Sequence, residues 1–389
     1  MERLEGQIRP YAWGSRVAIA RIQGRPAPTE QPEAELWMGA HPACPSLVAG
    51  EPLTSLIARD PIGTLGSAVV DRFGPRLPYL LKVLAAEAPL SLQAHPDAAQ
   101  AAAGFAAEEA ACIPRDAPER NYADPYHKPE LLVAVDDFDA LCGFRDPVSS
   151  AELLEGLVVR GLKSTVDALR QSDPAVALRS AVHGLLTLPV AERAPLVEAV
   201  AATEHPLAVD LATRYPGDVG VVVALLLNHV RLAPGQAVWM PAGNLHAYLY
   251  GVGMEVMAAS DNVLRGGLTP KHVDVDELLR ILRFEVLAQP VVHPVPTRRG
   301  LMTWPVPASE FALSRAVVDG AAPVTLPGAG PRVVFCLRGE VRVDDGRAPL
   351  VLGAGQAGFS PAGAAPGPVT VTGAGEVFQA TTAFGRHAW

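Results

Sequence analysis

The sequence predicts a mainly β protein, in which an inserted α-helical domain interrupts the first of two related barrels. Three observations predict it. Short apolar runs with Gly/Pro punctuation fill residues 1 to 146 and return after 231, as strands of a sandwich or barrel do. Between them, residues 147–230 carry apolar side chains at three- and four-residue spacing, with Ser, Asp and Pro at the segment starts. Finally, GQAVWMPAG at Gly235–Gly243 recurs 120 positions later as GQAGFSPAG at Gly355–Gly363, six of nine positions being identical. A chain of 389 residues is long enough for two or three cores. The expected organisation is 1–146 plus 231–280 as one barrel domain, 147–230 as the helical insertion, and 281–389 as a second barrel.

Each element has its own signal. LWMGAHPACPSLV, PYLLKVL, PLSLQAHP and ELLVAV are the strand candidates of the first domain. One helix breaks the series, DAAQAAAGFAAEEAA, rich in alanine and with Asp97 as its N-cap. The longest apolar run, VGVVVALLL at 219–227, has nine residues where a membrane span needs about 20, so it reads as core. Each copy of the repeat reads as a turn, a short strand and a Pro-containing turn. Three residues after the final glycine the first copy has His246 and the second Pro366, so a second metal site in the C-terminal barrel is not expected. GAGQAG at 353–358 fits GxGxxG in form only, because no helix follows to receive a pyrophosphate.

Composition excludes several function classes. A net charge of -9, and no Lys/Arg run of nucleic-acid-patch length, argue against nucleic acid and anionic membranes as partners. The opening MERLEGQIRPYAWG has no apolar signal region, and Cys44, Cys112, Cys142 and Cys336 stand far apart without a CxxC pair. A cytoplasmic protein with reduced thiols is the expectation. Against 28 Arg there are four Lys, and three of these (Lys82, Lys128, Lys271) fall in the segments that carry chemistry. Lys supplies what Arg does not, a compact charge with a tunable pKa.

Three segments gather candidate side chains. In PLSLQAHP, Gln93 and His95 are two apart, so on a strand an amide oxygen and an imidazole share one face. In NYADPYHKPELLVAV, His127, Lys128 and Glu130 precede an apolar strand, and Pro129 favours an extended path. The densest segment, 239–275, places His246 and Tyr248 at strand parity. It then sets Glu255 among Met254, Val256 and Met257, where desolvation would raise its pKa and suit it to proton transfer. Asp261, Arg265 and Lys271 follow in a Gly-rich loop. Two imidazoles, a carboxylate and an amide oxygen make an N/O donor set that suits zinc, with iron, cobalt or manganese as substitutes.

AELWMGAHP, SLQAHP, CIPRDAPERNYADPYHKPELL and MPAGNLHAYLYGVGMEVMAASDNVLRGGLTPKH together resemble the successive motifs of type I mannose-6-phosphate isomerases, in order along the whole chain. The resemblance implies cupin-type (jelly-roll) domains and one zinc ion per chain, held by Gln93, His95, Glu130 and His246. It implies interconversion of mannose 6-phosphate and fructose 6-phosphate through a cis-enediol, feeding activated-mannose synthesis. Arg265 matches the family's catalytic arginine, and Glu255 is the candidate carrier of the C1/C2 proton. Lys82, His127 and Lys128 are candidates for ring opening and orientation. Ser91, Lys271, Lys128 and Arg265 are candidates for the phosphate, with Tyr248 and Asp261 also at the substrate. A sugar phosphate is then the partner, and the chain acts as a monomer or weak homo-oligomer. Two departures lie beside the ligands: Asp97 stands where the family commonly has Asn, and Ala94 is smaller than usual.

Overall fold

The computed structural model describes residues 1–363 and 367–383, so Pro366 lies outside the described residues. The strands form two eleven-stranded sheets. The first runs from Val291–Val292 through Ala237–Met240, Glu130–Ala134, His246–Ala258, Tyr79–Ala86 and Glu35–Gly39 to Gln7–Arg9. Leu92–Ala94, Phe138–Phe144, Leu227–Leu232 and Leu264–Gly267 attach to it.

The long strand His246–Ala258 is the hub. Its second half pairs on both sides, with Tyr79–Ala86 and Glu130–Ala134, while its first half pairs with Phe138–Phe144 and meets Leu92–Ala94. Strands covered on both faces read as continuous apolar runs. Every residue of Tyr79–Ala86 and Glu130–Ala134 is buried, so Lys82 and Glu130 stand out as charges inside apolar strands.

A run of helices, from Pro147–Gly156 to Gly220–Ala224, lies between the strands Phe138–Phe144 and Leu227–Leu232. Asp146 and Asp173 cap two of them by accepting first-turn amides, each followed by proline at the first helical position. Asp97 caps Ala98–Ala110 in a capping box with Gln100. The helical segment buries its apolar faces in one cluster with Leu92 and Leu264 of the first sheet, and the apolar residues of the 219–227 run belong to it. No single described helix is long and apolar enough to cross a membrane.

The repeat holds in three dimensions. In both copies a glycine with positive φ opens the turn, Gly235 at 88° and Gly355 at 76°. In both, the glutamine side chain then accepts an amide three residues back: Gln236 from Ala233 at 2.8 Å and Gln356 from Gly353 at 2.9 Å. The strands Ala237–Met240 and Ala357–Ser360 follow.

At its start the chain divides differently from the expected boundaries. Glu2–Glu5 pairs with Ala357–Ser360, and the hairpin Leu47–Val48 and Glu51–Pro52 extends the same, second sheet. Only from Gln7 onward does the N-terminal segment join the first sheet.

Candidate functional site

Three buried side chains converge at the mouth of the hub strand. His95, Glu130 and His246 offer ligand atoms that all lie within 4.8 Å of one another. Glu130 Oε2 is 3.3 Å from His95 Nε2 and 3.3 Å from His246 Nε2. The opposite ring nitrogens are already engaged: His95 Nδ1 faces the Asn262 carbonyl at 2.7 Å, and His246 Nδ1 that of Asn244 at 3.0 Å. With Nδ1 donating, each ring turns an unprotonated Nε2 toward the shared point, and both Nε2 atoms are buried without a hydrogen-bond partner. Burial pushes the His95 ring down to about 4 against the pull of Glu130, which keeps it neutral as a ligand must be. Burial works against the Glu130 charge as well, yet Lys128 and the two rings hold its carboxyl well below the usual range. Gln93 pairs in register with His246 on one side and Arg265 on the other, and lines the same cavity. This donor set fits a zinc ion.

Next to it lies a charged row. Glu255 sits opposite Lys82 in the ladder, and Lys82 opposite Trp37. Lys82 Nζ donates to Glu255 Oε2 at 3.0 Å and lies 3.6 Å from Glu35 Oε1. Tyr248 Oη donates to Glu255 Oε1 at 2.9 Å. Burial raises Glu255 above the ordinary carboxylate range, although Lys82 pulls it down. Burial opposes the Lys82 charge, but Glu255 and Glu35 outweigh it and hold the ammonium. Simple alternation would place Glu255 on the face opposite His246 and Tyr248. A bulge between Tyr248 and Tyr250, followed by Gly251 at φ 123°, reverses the alternation and turns Glu255 to the face of His246 and Tyr248, with Tyr248 and Glu255 lining one cavity.

That cavity measures about 490 Å³ and is lined by Ser91, Lys128, Asp261, Arg265 and Lys271 besides Lys82, Gln93, Glu130, Tyr248 and Glu255. Lys128 Nζ reaches Glu130 Oε1 at 2.9 Å, and Asp261 lies 3.3 Å from His41 Nε2. Burial lowers Arg265, and Lys271 is lowered by burial and then by Arg265. Both cations line the cavity. His127 is placed elsewhere: its Nε2 is 2.7 Å from Glu310 Oε1, and it is not part of the cavity wall.

Several wall residues carry no role in the sequence reading. Glu35 accepts the Trp37 indole N–H at 2.6 Å, and Tyr11 and Trp13 stack with ring centroids 5.7 Å apart. The signal for the first pair lies in AELWMGAHP, where a carboxylate and an indole share strand parity. Asn262, fully buried, donates to the Asp124 and Tyr126 carbonyls at 2.7 and 2.8 Å while its own carbonyl orients His95.

Residues 1–147 match the family described as phosphomannose isomerase type I, catalytic domain. The mannose-6-phosphate isomerase of Salmonella typhimurium is 39% identical over 97% of this chain and 98% of the relative. That of Escherichia coli is 38% identical over the same shares. Among solved structures, a mannose 6-phosphate isomerase bound with zinc and yttrium has a TM-score of 0.89 at 37% identity, covering 98% of this chain and 99% of the other. A zinc-bound holo form gives 0.88 at 37% identity.

Proposed function

The chain belongs to the phosphomannose isomerase type I family and is a zinc-dependent isomerase of mannose 6-phosphate and fructose 6-phosphate; we propose that the cavity beside Glu130 performs this reaction through a cis-enediol. The observation that carries the reading is the juxtaposition of two unpartnered imidazole Nε2 atoms on Glu130 with the buried Glu255–Lys82 pair on one cavity wall.

His95, Glu130, His246 and Gln93 hold the zinc, which supplies a fixed positive charge for oxygens that become anionic during the reaction. Glu255, desolvated and oriented by Tyr248 and Lys82, moves the proton between C2 and C1. Lys82 neutralises the carboxylate as it alternates between states, and with Lys128 serves ring opening and orientation. Arg265 lies in register beside Gln93, where its charge stabilises the enediolate. Ser91 and Lys271 lie at the rim and take the phosphate, with Arg265 as the adjoining cation. Asp261, held by His41, contacts the sugar.

We further infer that the two sheets are jelly-roll (cupin-type) barrels and that the helices form an inserted domain. The protein works in the cytoplasm as a monomer or weak homo-oligomer, its four cysteines unpaired. A coupled assay for fructose 6-phosphate tests the function. Activity is expected to disappear on chelation and return with zinc, and a zinc-loaded enzyme inert toward mannose 6-phosphate overturns the reading.

A further inference from the structure

The helical segment is remote from the metal in sequence, yet one turn of it, residues 215–220, reaches both sides of the cavity. On one side, Tyr215 lines the cavity and its hydroxyl donates to the Pro89 carbonyl at 2.7 Å, two residues before Ser91. On the other, Asp218 Oδ2 accepts the Thr269 amide at 3.1 Å, and Thr269 Oγ1 in turn accepts the Lys271 amide at 3.1 Å. The Asp218 amide donates to the Tyr215 carbonyl at 3.2 Å, and Asp218 Oδ1 accepts the Gly220 amide at 2.7 Å, so the two arms share one turn.

The rim that Asp218 holds needs holding. Gly267 has φ 121° and Leu268 φ 55°, a path that a leucine adopts only under constraint. The Leu268 side chain is buried in the helical segment's core cluster. The backbones touch as well: a Cβ on Gly220 would come within 2.7 Å of the Leu268 nitrogen, and one on Gly267 within 2.7 Å of the Gly220 Cα. Arg265 precedes this path and Lys271 follows it.

We propose that residues 215–220 form a two-armed brace that sets the phosphate end of the cavity. Asp218 is the positioning residue for Lys271, and Tyr215 for Ser91. The proposal rests on the reading above that Ser91, Lys271 and Arg265 meet the phosphate. Neither Asp218 nor Tyr215 takes part in proton transfer, so each acts on substrate capture and leaves the chemical step alone.

The test is steady-state kinetics of the zinc-loaded full chain with mannose 6-phosphate, together with inhibition by inorganic phosphate. Asp218→Asn keeps the volume and one acceptor, and Tyr215→Phe removes one hydroxyl. Each is expected to raise KM and the phosphate inhibition constant roughly fivefold, the size of one lost hydrogen bond, with kcat within about twofold. In a Lys271→Ala background, Asp218→Asn adds nothing further, because Asp218 works through Lys271. Full additivity, or a loss confined to kcat, overturns the brace. If Asp218→Asn does not fold, Tyr215→Phe decides on the same KM-against-kcat split. A Lys271→Ala enzyme with unchanged KM and phosphate inhibition sinks the phosphate assignment and the brace with it. A raised KM in Lys271→Ala beside silent Asp218→Asn and Tyr215→Phe sinks the brace alone.

Discussion

Glu255 is buried and has both carboxylate oxygens engaged, one by Tyr248 and one by Lys82. Glu255→Gln keeps the shape and removes the base, so kcat is expected to fall by roughly 10²–10⁴ with KM little changed. Exchange of the C2 proton with solvent, followed by NMR, is lost in parallel; if it survives, the base is Asp261 or Lys128. Because burial raises the Glu255 pKa, kcat/KM in the native enzyme climbs with pH through a value above the ordinary carboxylate range, and this limb is absent in Glu255→Gln. Arg265→Lys keeps charge and loses the planar fork, so kcat and KM both suffer. His246→Ala removes one of two oriented imidazoles, and zinc titration is expected to show affinity weaker by orders of magnitude. At this scale the sequence was most legible where donors sit two apart on a strand, as Gln93 and His95 do. It offered His127 for ring opening and orientation, and could not show its partner Glu310, which lies 183 positions away.

The elements matter through their irregularities. The sheet delivers Lys82, Glu255 and Glu130 by register alone, but His246 and Glu255 share a face of the hub strand only because it bulges near Tyr250. Strand parity read from sequence separates these two residues, and glycines at 251 and 253 were the only local hint of the bulge. Gly251 has φ 123°, and a Cβ there would come within 2.6 Å of the Asp137 carbonyl oxygen. Gly251→Ala is therefore expected to cost about 2 kcal/mol or more in denaturant unfolding and to lower kcat by misaligning Glu255 against the metal ligands. Native stability with native turnover would show that the bulge tolerates a side chain. Helices were more legible than strands, since Asp97, Asp146 and Asp173 announce their caps locally.

Across the whole molecule, the two sheets are joined by contacts that span most of the chain. The Tyr79 hydroxyl donates to the Pro331 and Ala380 carbonyls at 2.8 and 3.1 Å, and His127 meets Glu310. Burial opposes the Glu310 charge, but His127 outweighs it and depresses the carboxyl. A depressed folded pKa contributes stability above the ordinary carboxylate range and loses it as pH falls through the folded value. Glu310→Gln is thus expected to lower Tm by roughly 1–3 °C near pH 7, with the difference vanishing in acid. Among the described residues one cluster of His, Cys, Asp and Glu is built for a metal, so zinc analysis should return one ion per chain.

The strand Glu2–Glu5 has a consequence for how the protein is made. Gln7–Arg9, just beyond Gly6, finds its partner Glu35–Gly39 within a few dozen residues. One side of Glu2–Glu5 meets Leu47–Val48 almost as soon, but the partner of its other side begins at Ala357. At about 5–20 residues per second that is a wait on the order of 20–70 s, during which an unpaired edge is open to other nascent chains. The metal-bearing sheet can close during synthesis, whereas the second sheet closes only after almost the whole chain has emerged. A chain halted before Ala357 would carry all four proposed zinc ligands and still leave Glu2–Glu5 paired with Leu47–Val48 alone.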